Sequence, residues 1–153
     1  MAKFLLAVDA GHGKWVGGNR CMRSLDPNQT AEWVLGDRVA RAIIERAKLY
    51  DGFETIRVDD PTGEDDVGLT KRCAKANAAG VDFYISLHFD AGVGGGSGGG
   101  ITTFCVATGG KAECIATESI IALSMLVVSV AIEPILCKPQ IILFCEKLLP
   151  PLF

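Results

Sequence analysis

The chain has only two histidines, His12 and His88, and each follows a short apolar run. Phe4-Leu5-Leu6-Ala7-Val8-Asp9-Ala10 leads into Gly11-His12-Gly13, and Phe83-Tyr84-Ile85-Ser86-Leu87 leads into His88. Apolar runs of this length bounded by glycine read as strands covered on both faces. Imidazoles at two strand exits suit a metal site, because the neutral ring is a common ligand for divalent ions. A third donor is Glu32, in the first turn of an expected helix. Two histidines and one carboxylate leave a fourth position open to water, which is the composition of a catalytic zinc site rather than a closed structural one. Hydrolysis of an amide is the natural reaction for such a centre. Asp9 stands either as an acceptor that orients His12 or simply as a polar residue at the strand's end.

Positioning these donors requires strands that end on one edge. Residues 3 to 9 read as the first strand. Asp26-Pro27-Asn28-Gln29 reads as a helix start, with Pro at the first helical position. Ala31, Leu35, Val39, Ala42 and Ile43 then recur at helical spacing, opposite Arg38, Arg41, Glu45 and Lys48, which predicts a helix over 28–49. Phe53 to Val58 alternates as a second strand, Leu69 to Ala79 reads as a helix with Leu69, Cys73 and Ala76 on one face, and Asp82 to Leu87 is the third strand with His88 at its end. The glycine-rich run 94–100 reads as a loop on the site's rim, followed by a strand-like segment from Ile101 to Ala107. Strand and helix alternate, so the expected fold class is α/β: a single domain with a mostly parallel central sheet and helices on both faces. In such a sheet the loops at the carboxyl ends of the strands form ligand sites, which brings His12, Glu32 and His88 to one edge.

Composition narrows the function further. A chain of 153 residues is one domain's worth. A net charge of −3 and a pI near 5.3 give no basic footprint, which excludes nucleic acid as the expected partner. Six cysteines without a CxxC pair suggest free thiols rather than a disulfide framework. Asp9 interrupts the N-terminal apolar run before it reaches the ~7–15 residues of a signal h-region, so no export signal is expected. Gly11-His12-Gly13 with Gly17-Gly18 lacks the spacing of a phosphate cradle. Trp15 and Trp33 flank the expected site, either stacking on a substrate or packing.

The residues that carry these features also resemble a known family. Val8-Asp9-Ala10-Gly11-His12-Gly13, Thr30-Ala31-Glu32-Trp33, Arg72 and Asn77 in Lys71-Arg72-Cys73-Ala74-Lys75-Ala76-Asn77, and Phe83 through His88 to Gly92 are together similar to the zinc-dependent N-acetylmuramoyl-L-alanine amidases of amidase type 3. The resemblance covers residues 3 to about 117. It implies zinc held by His12, Glu32 and His88, and peptidoglycan as substrate, cut at the cell wall between N-acetylmuramic acid and L-alanine, in a phage-lysin-like or autolysin-like protein. The rival reading is a non-catalytic zinc or cell-wall-binding module on the same scaffold. No feature of the sequence sets an oligomeric state.

Residues 118–153 depart from that pattern, as an anomalous tail rather than a second domain. The family uses a late glutamate as general base after a Pro-Ala-Val/Ile-Leu type of strand, and the surroundings of Glu133 and Glu146 do not match it. Ile120 to Ile132 is almost wholly apolar, yet its 13 residues fall short of the ~20 that cross a bilayer, which argues against a membrane span and for a buried or interfacial helix. Re-read one base out of frame from about Thr117, the tail can be written as an amphipathic helix, a Gly/Arg loop and the missing strand, ending before the glutamate.

Overall fold

The computed structural model describes residues 3–21, 23–24, 26–90, 100–105, 109, 113–119 and 140–145. Strand β1 (Phe4–Asp9), helix α1 (Glu32–Ala47), strand β2 (Phe53–Arg57), helix α2 (Leu69–Ala79) and strands β3 (Phe83–Asp90), β4 (Gly100–Cys105) and β5 (Gln140–Cys145) follow in chain order. The strands form one sheet in the order β2-β1-β3-β5-β4. β1 lies parallel to β2 and β3, and β4 parallel to β5, whereas β5 runs antiparallel to β3. The fold is therefore α/β and mostly parallel, as expected, with one antiparallel seam supplied by the tail. The apolar run 120–132, positions 94–99 of the glycine-rich run expected as a loop, Glu133 and Glu146 all lie outside the described residues, while Gly100, expected in that loop, opens β4.

Alternation along β1 sorts the two faces. Leu6, Val8 and Ala10 join Trp33 and Ala40 of α1 in one core cluster, with Phe83 and Leu87 of β3. Ala7 faces the other way, against Ala76 of α2, Val58 and Tyr84. Successive side chains of a strand point to opposite faces, so Asp9 shares the α2 side with Ala7.

Both helices bury faces that overlap the expected ones only in part: Ala31 and Ala76 are buried and Val39 and Ile43 pack against the core, as expected. In α1 the inward stripe is Trp33, Gly36, Asp37, Ala40 and Ala47, while Ala42 is exposed. Asp37 can face inward because Arg57 Nη1 donates to it at 2.8 Å and Arg41 Nε at 2.6 Å, and a buried charge needs such partners. In α2 Arg72 and Ala76 are buried, and Leu69 is 68% exposed. The start of α1 also differs. Asp26 accepts from the amides of Asn28 at 2.9 Å and Thr30 at 2.7 Å, forming a turn of its own. Gln29 then takes a positive φ of 49°, which interrupts any helix, so α1 begins at Glu32 rather than 28. Cys21 corrects the expectation of free thiols, being disulfide-bonded, whereas Cys114 is a free thiol.

Gly36 sets how close α1 comes to the end of β1. A Cβ there would stand 2.4 Å from the Ala10 main-chain oxygen. Glu32 lies one helical turn before Gly36, so this close approach also carries Glu32 toward the loop after β1. Gly36→Ala is expected to destabilise the chain, because overpacking costs ~1–3 kcal/mol and outweighs the ~0.5–1 kcal/mol that alanine gains in a helix interior. A lower urea midpoint checks this, and an unchanged or higher one would show that α1 can shift freely.

Candidate metal centre

His12 stands in the loop after β1, on a backbone shaped by Gly11. That glycine has φ +70°, and a Cβ on it would meet Leu87 O at 2.8 Å and His88 Cε1 at 2.9 Å. Only a residue without a side chain lets the two histidine segments approach this closely. Their rings meet edge to face, with centroids 4.9 Å apart and planes at 84°. His88 lies inside β3 rather than at its end, because β3 continues to Asp90 through its pairing with β5.

Glu32 sits between the two histidines. Its Oε1 accepts from His88 Nδ1 at 3.0 Å and from the Phe89 amide at 2.8 Å, and its Oε2 lies 3.6 Å from His12 Nε2. The ligand atoms offered by His12, Glu32 and His88 all fall within 4.8 Å of one another. Burial raises the Glu32 carboxyl, but the hydrogen bonds from His88, Phe89 and Asn19 and the nearby His12 outweigh it and hold the group below its ordinary value. The structure thus brings together all three residues singled out from the sequence. Two imidazoles and an ionised carboxylate suit zinc, whose bonds to such donors are ~2.0–2.2 Å long, so pairs 3.0 to 3.6 Å apart can share one ion.

Behind the triad lies a buried network that sequence reasoning placed only in part. Asp9 does not orient the His12 ring. It accepts from Gly11 N at 3.0 Å, Tyr84 Oη at 2.6 Å, Ser86 Oγ at 3.0 Å and Arg72 Nη1. Burial, with the Asp9 charge beside it, pushes the Tyr84 hydroxyl up, which keeps it a donor. Arg72 also donates from Nη2 to the His12 main-chain oxygen and to Asp66 Oδ1, each at 3.1 Å, and from Nε to the Val67 oxygen. Arg72 appeared in the sequence only as part of a motif. Asn19, which touches two members of the triad, carried no signal at all. A cavity of about 450 Å³ opens beside the triad, lined by His12, His88, Val67, Leu69, Arg72 and Tyr84 among others. The volume is that of a small-molecule cleft.

Residues 6–127 match the protein family described as N-acetylmuramoyl-L-alanine amidase. The chain belongs to this amidase family. Among solved structures, the crystal structure of N-acetylmuramoyl-L-alanine amidase from Clostridium difficile 630 is similar to the amidase described here. The two are 16% identical, the match covers 95% of this chain and 80% of that chain, and the TM-score is 0.69. That likeness is one of fold. No curated protein matches the amidase. Among the described residues, no helix is long and apolar enough to cross a membrane.

The two tryptophans expected to flank the site differ in role. Trp33 is buried, packs under Gly63 and donates to Asp59 Oδ2 at 3.2 Å, which makes it a core residue. Trp15 is 69% exposed and donates to Glu64 Oε2 at 3.0 Å. Glu64 belongs to a loop organised by Asp60. The Asp65 amide, then the Thr62 hydroxyl and amide, donate to the Asp60 carboxyl and hold it well below the usual carboxylate range. A carboxyl depressed on folding contributes stability that is present above its unfolded pKa and is lost as pH falls through its folded one. Asp60→Asn is therefore expected to unfold at a lower temperature than wild type at neutral pH, with the gap narrowing below about pH 4. A gap independent of pH would show that the charge of Asp60 does not matter to the loop.

Proposed function

We propose that this amidase is a zinc-dependent peptidoglycan hydrolase cutting the amide between N-acetylmuramic acid and L-alanine, with zinc held by His12, Glu32 and His88. The observation that carries the proposal is the convergence of these three side chains within 4.8 Å. When bound, zinc supplies Lewis-acid polarisation of the scissile carbonyl. The chain's own residues do the rest of the positioning. The Phe89 amide fixes one oxygen of Glu32 and leaves the other facing His12. Arg72 ties the His12 main chain to Asp9 and to the 66–67 loop, so the histidine is set by a buried ion pair rather than by a free loop. The adjoining cavity gives the flank of the scissile bond a place beside the triad. Action at the bacterial cell wall follows from this substrate.

We also read the hydrolytic step as weak in this chain. Among the described residues, the metal-ligand cluster holds a single carboxylate, Glu32. A base that takes the proton from attacking water must be a different group from the ligand, and the family's late glutamate has no counterpart in the pattern around Glu133 or Glu146. The test is turbidity loss of purified cell walls with zinc and with a chelator, beside a chain whose frame is restored from Thr117. Chelator-sensitive lysis that rises in the restored chain is the expected result. Lysis insensitive to chelator would overturn the zinc reading, and zinc binding without any lysis in either chain would favour the non-catalytic binding module.

A further inference from the structure

We infer that Asn19 is a positioning residue of the metal centre, its carboxamide holding His12 Nε2 and Glu32 Oε2 in ligand-ready form before a metal arrives. Asn19 Nδ2 lies 2.9 Å from His12 Nε2 and 3.1 Å from Glu32 Oε2. A carboxylate oxygen only accepts, so the NH₂ end of the amide, not its carbonyl, must face Glu32. The same nitrogen then faces His12, and since it has only hydrogens to give, His12 Nε2 must present its lone pair. The ring proton sits on Nδ1.

His12 Nε2 and Glu32 Oε2 are 3.6 Å apart, just beyond hydrogen-bond length, so with a proton on Nε2 only a small turn of the ring would be needed to reach the carboxylate and close the site. The two hydrogens of the Asn19 amide occupy that role instead, one toward each acceptor, and leave no reason for a proton between them. A metal held at His12 Nε2 would replace the hydrogen bond from Asn19 there, whereas a carboxylate oxygen, with two lone pairs, could still accept from Asn19.

The backbone around Asn19 is built to hold this position. Its main-chain oxygen accepts from the Glu32 amide at 2.9 Å, Cys21 N donates to Thr30 O at 2.9 Å, and Arg20 pairs with Ala31 as an isolated bridge. The segment bearing Asn19 is thus stitched to the first residues of α1, including the ligand itself. Partners of this outer kind orient ligands, and their loss typically costs about 10–100-fold in metal affinity.

This inference rests on the zinc reading for its second arm but not for its first. In the first, long-range nitrogen–proton NMR of the metal-free chain, in alkaline buffer, reads which His12 ring nitrogen carries hydrogen. The expected result is hydrogen on Nδ1 in wild type and a shift toward Nε2 in Asn19→Ala. Asn19→Asp, which keeps the shape and removes the donors, should shift likewise, and it serves if the alanine variant does not fold. A wild-type ring with its hydrogen on Nε2 overturns the inference whether or not zinc binds. In the second arm, competition with a chromophoric chelator should show zinc affinity about tenfold lower in Asn19→Ala. Equal affinity with equal thermal stability overturns the inference. A wild-type chain that binds no zinc would instead sink the proposed function, and the NMR arm would still decide Asn19.

Discussion

His88→Ala is expected to abolish stoichiometric zinc binding and, with it, any lysis of cell walls. Three donors converge on the site, and removing one leaves a two-ligand arrangement around His12 and Glu32. The loss should exceed the ~10–100-fold typical of partners that merely support a ligand. Glu32 would lose one of the hydrogen bonds that hold its carboxyl low, so the remaining pair would also be a poorer donor set. The fold should survive, because the main chain of His88 stays paired with Ile142 of β5, and β3 keeps its pairing with β1 over Phe83–Ser86. Metal analysis after gel filtration, with circular dichroism as the control for folding, checks this. Full zinc retention in a folded variant would refute His88 as a ligand.

Arg72→Ala should be the most destabilising single change at the site. The side chains of Arg72 and Asp9 are 5% and 3% exposed, so the pair is buried. Removing one partner of a buried ion pair strands the other charge and costs ~3–5 kcal/mol, a large share of the ~5–15 kcal/mol that holds a domain folded. The same substitution releases the His12 oxygen, the Val67 oxygen and Asp66 at once. Arg72→Lys keeps the charge but lacks the planar fork that reaches several acceptors together, so an intermediate loss is expected. Urea unfolding monitored by far-UV dichroism reads both variants. A loss below about 1 kcal/mol in the alanine variant would mean that Asp9 is not an uncompensated charge without it.

Much of the frame could be read from local pattern. β1 and α2 fall where apolar runs and helical spacing place them, since both are bounded by residues that act through their own backbone, such as Gly80 with φ +65° closing α2. The triad could be named because strand exits and helix starts share an edge in a parallel sheet. What was not legible depends on partners distant in sequence. Asp26 spends its carboxylate on a turn instead of opening α1. Asp37 and Arg72 face inward only because their counter-charges, Arg57 and Asp9, arrive from other elements. Asn19 is an ordinary loop residue until its chain is paired against the start of α1. His88 looked terminal because the strand that extends β3 comes from more than fifty positions later, a reach that no local pattern announces.

That last strand has a consequence for biosynthesis. β5 is wedged between β3 and β4, so the edge of β3 opposite β1 has no partner in the sheet until residues 140–145 leave the ribosome. Throughout translation of the intervening segment, the nascent chain displays an unpaired strand edge, the kind of surface that recruits neighbouring chains. The second histidine is thus translated more than fifty codons before the strand that pairs with it. Yield of the folded protein should therefore track how quickly ribosomes pass from codon 91 to codon 145, and slow codons in that stretch should send more of the product into aggregates.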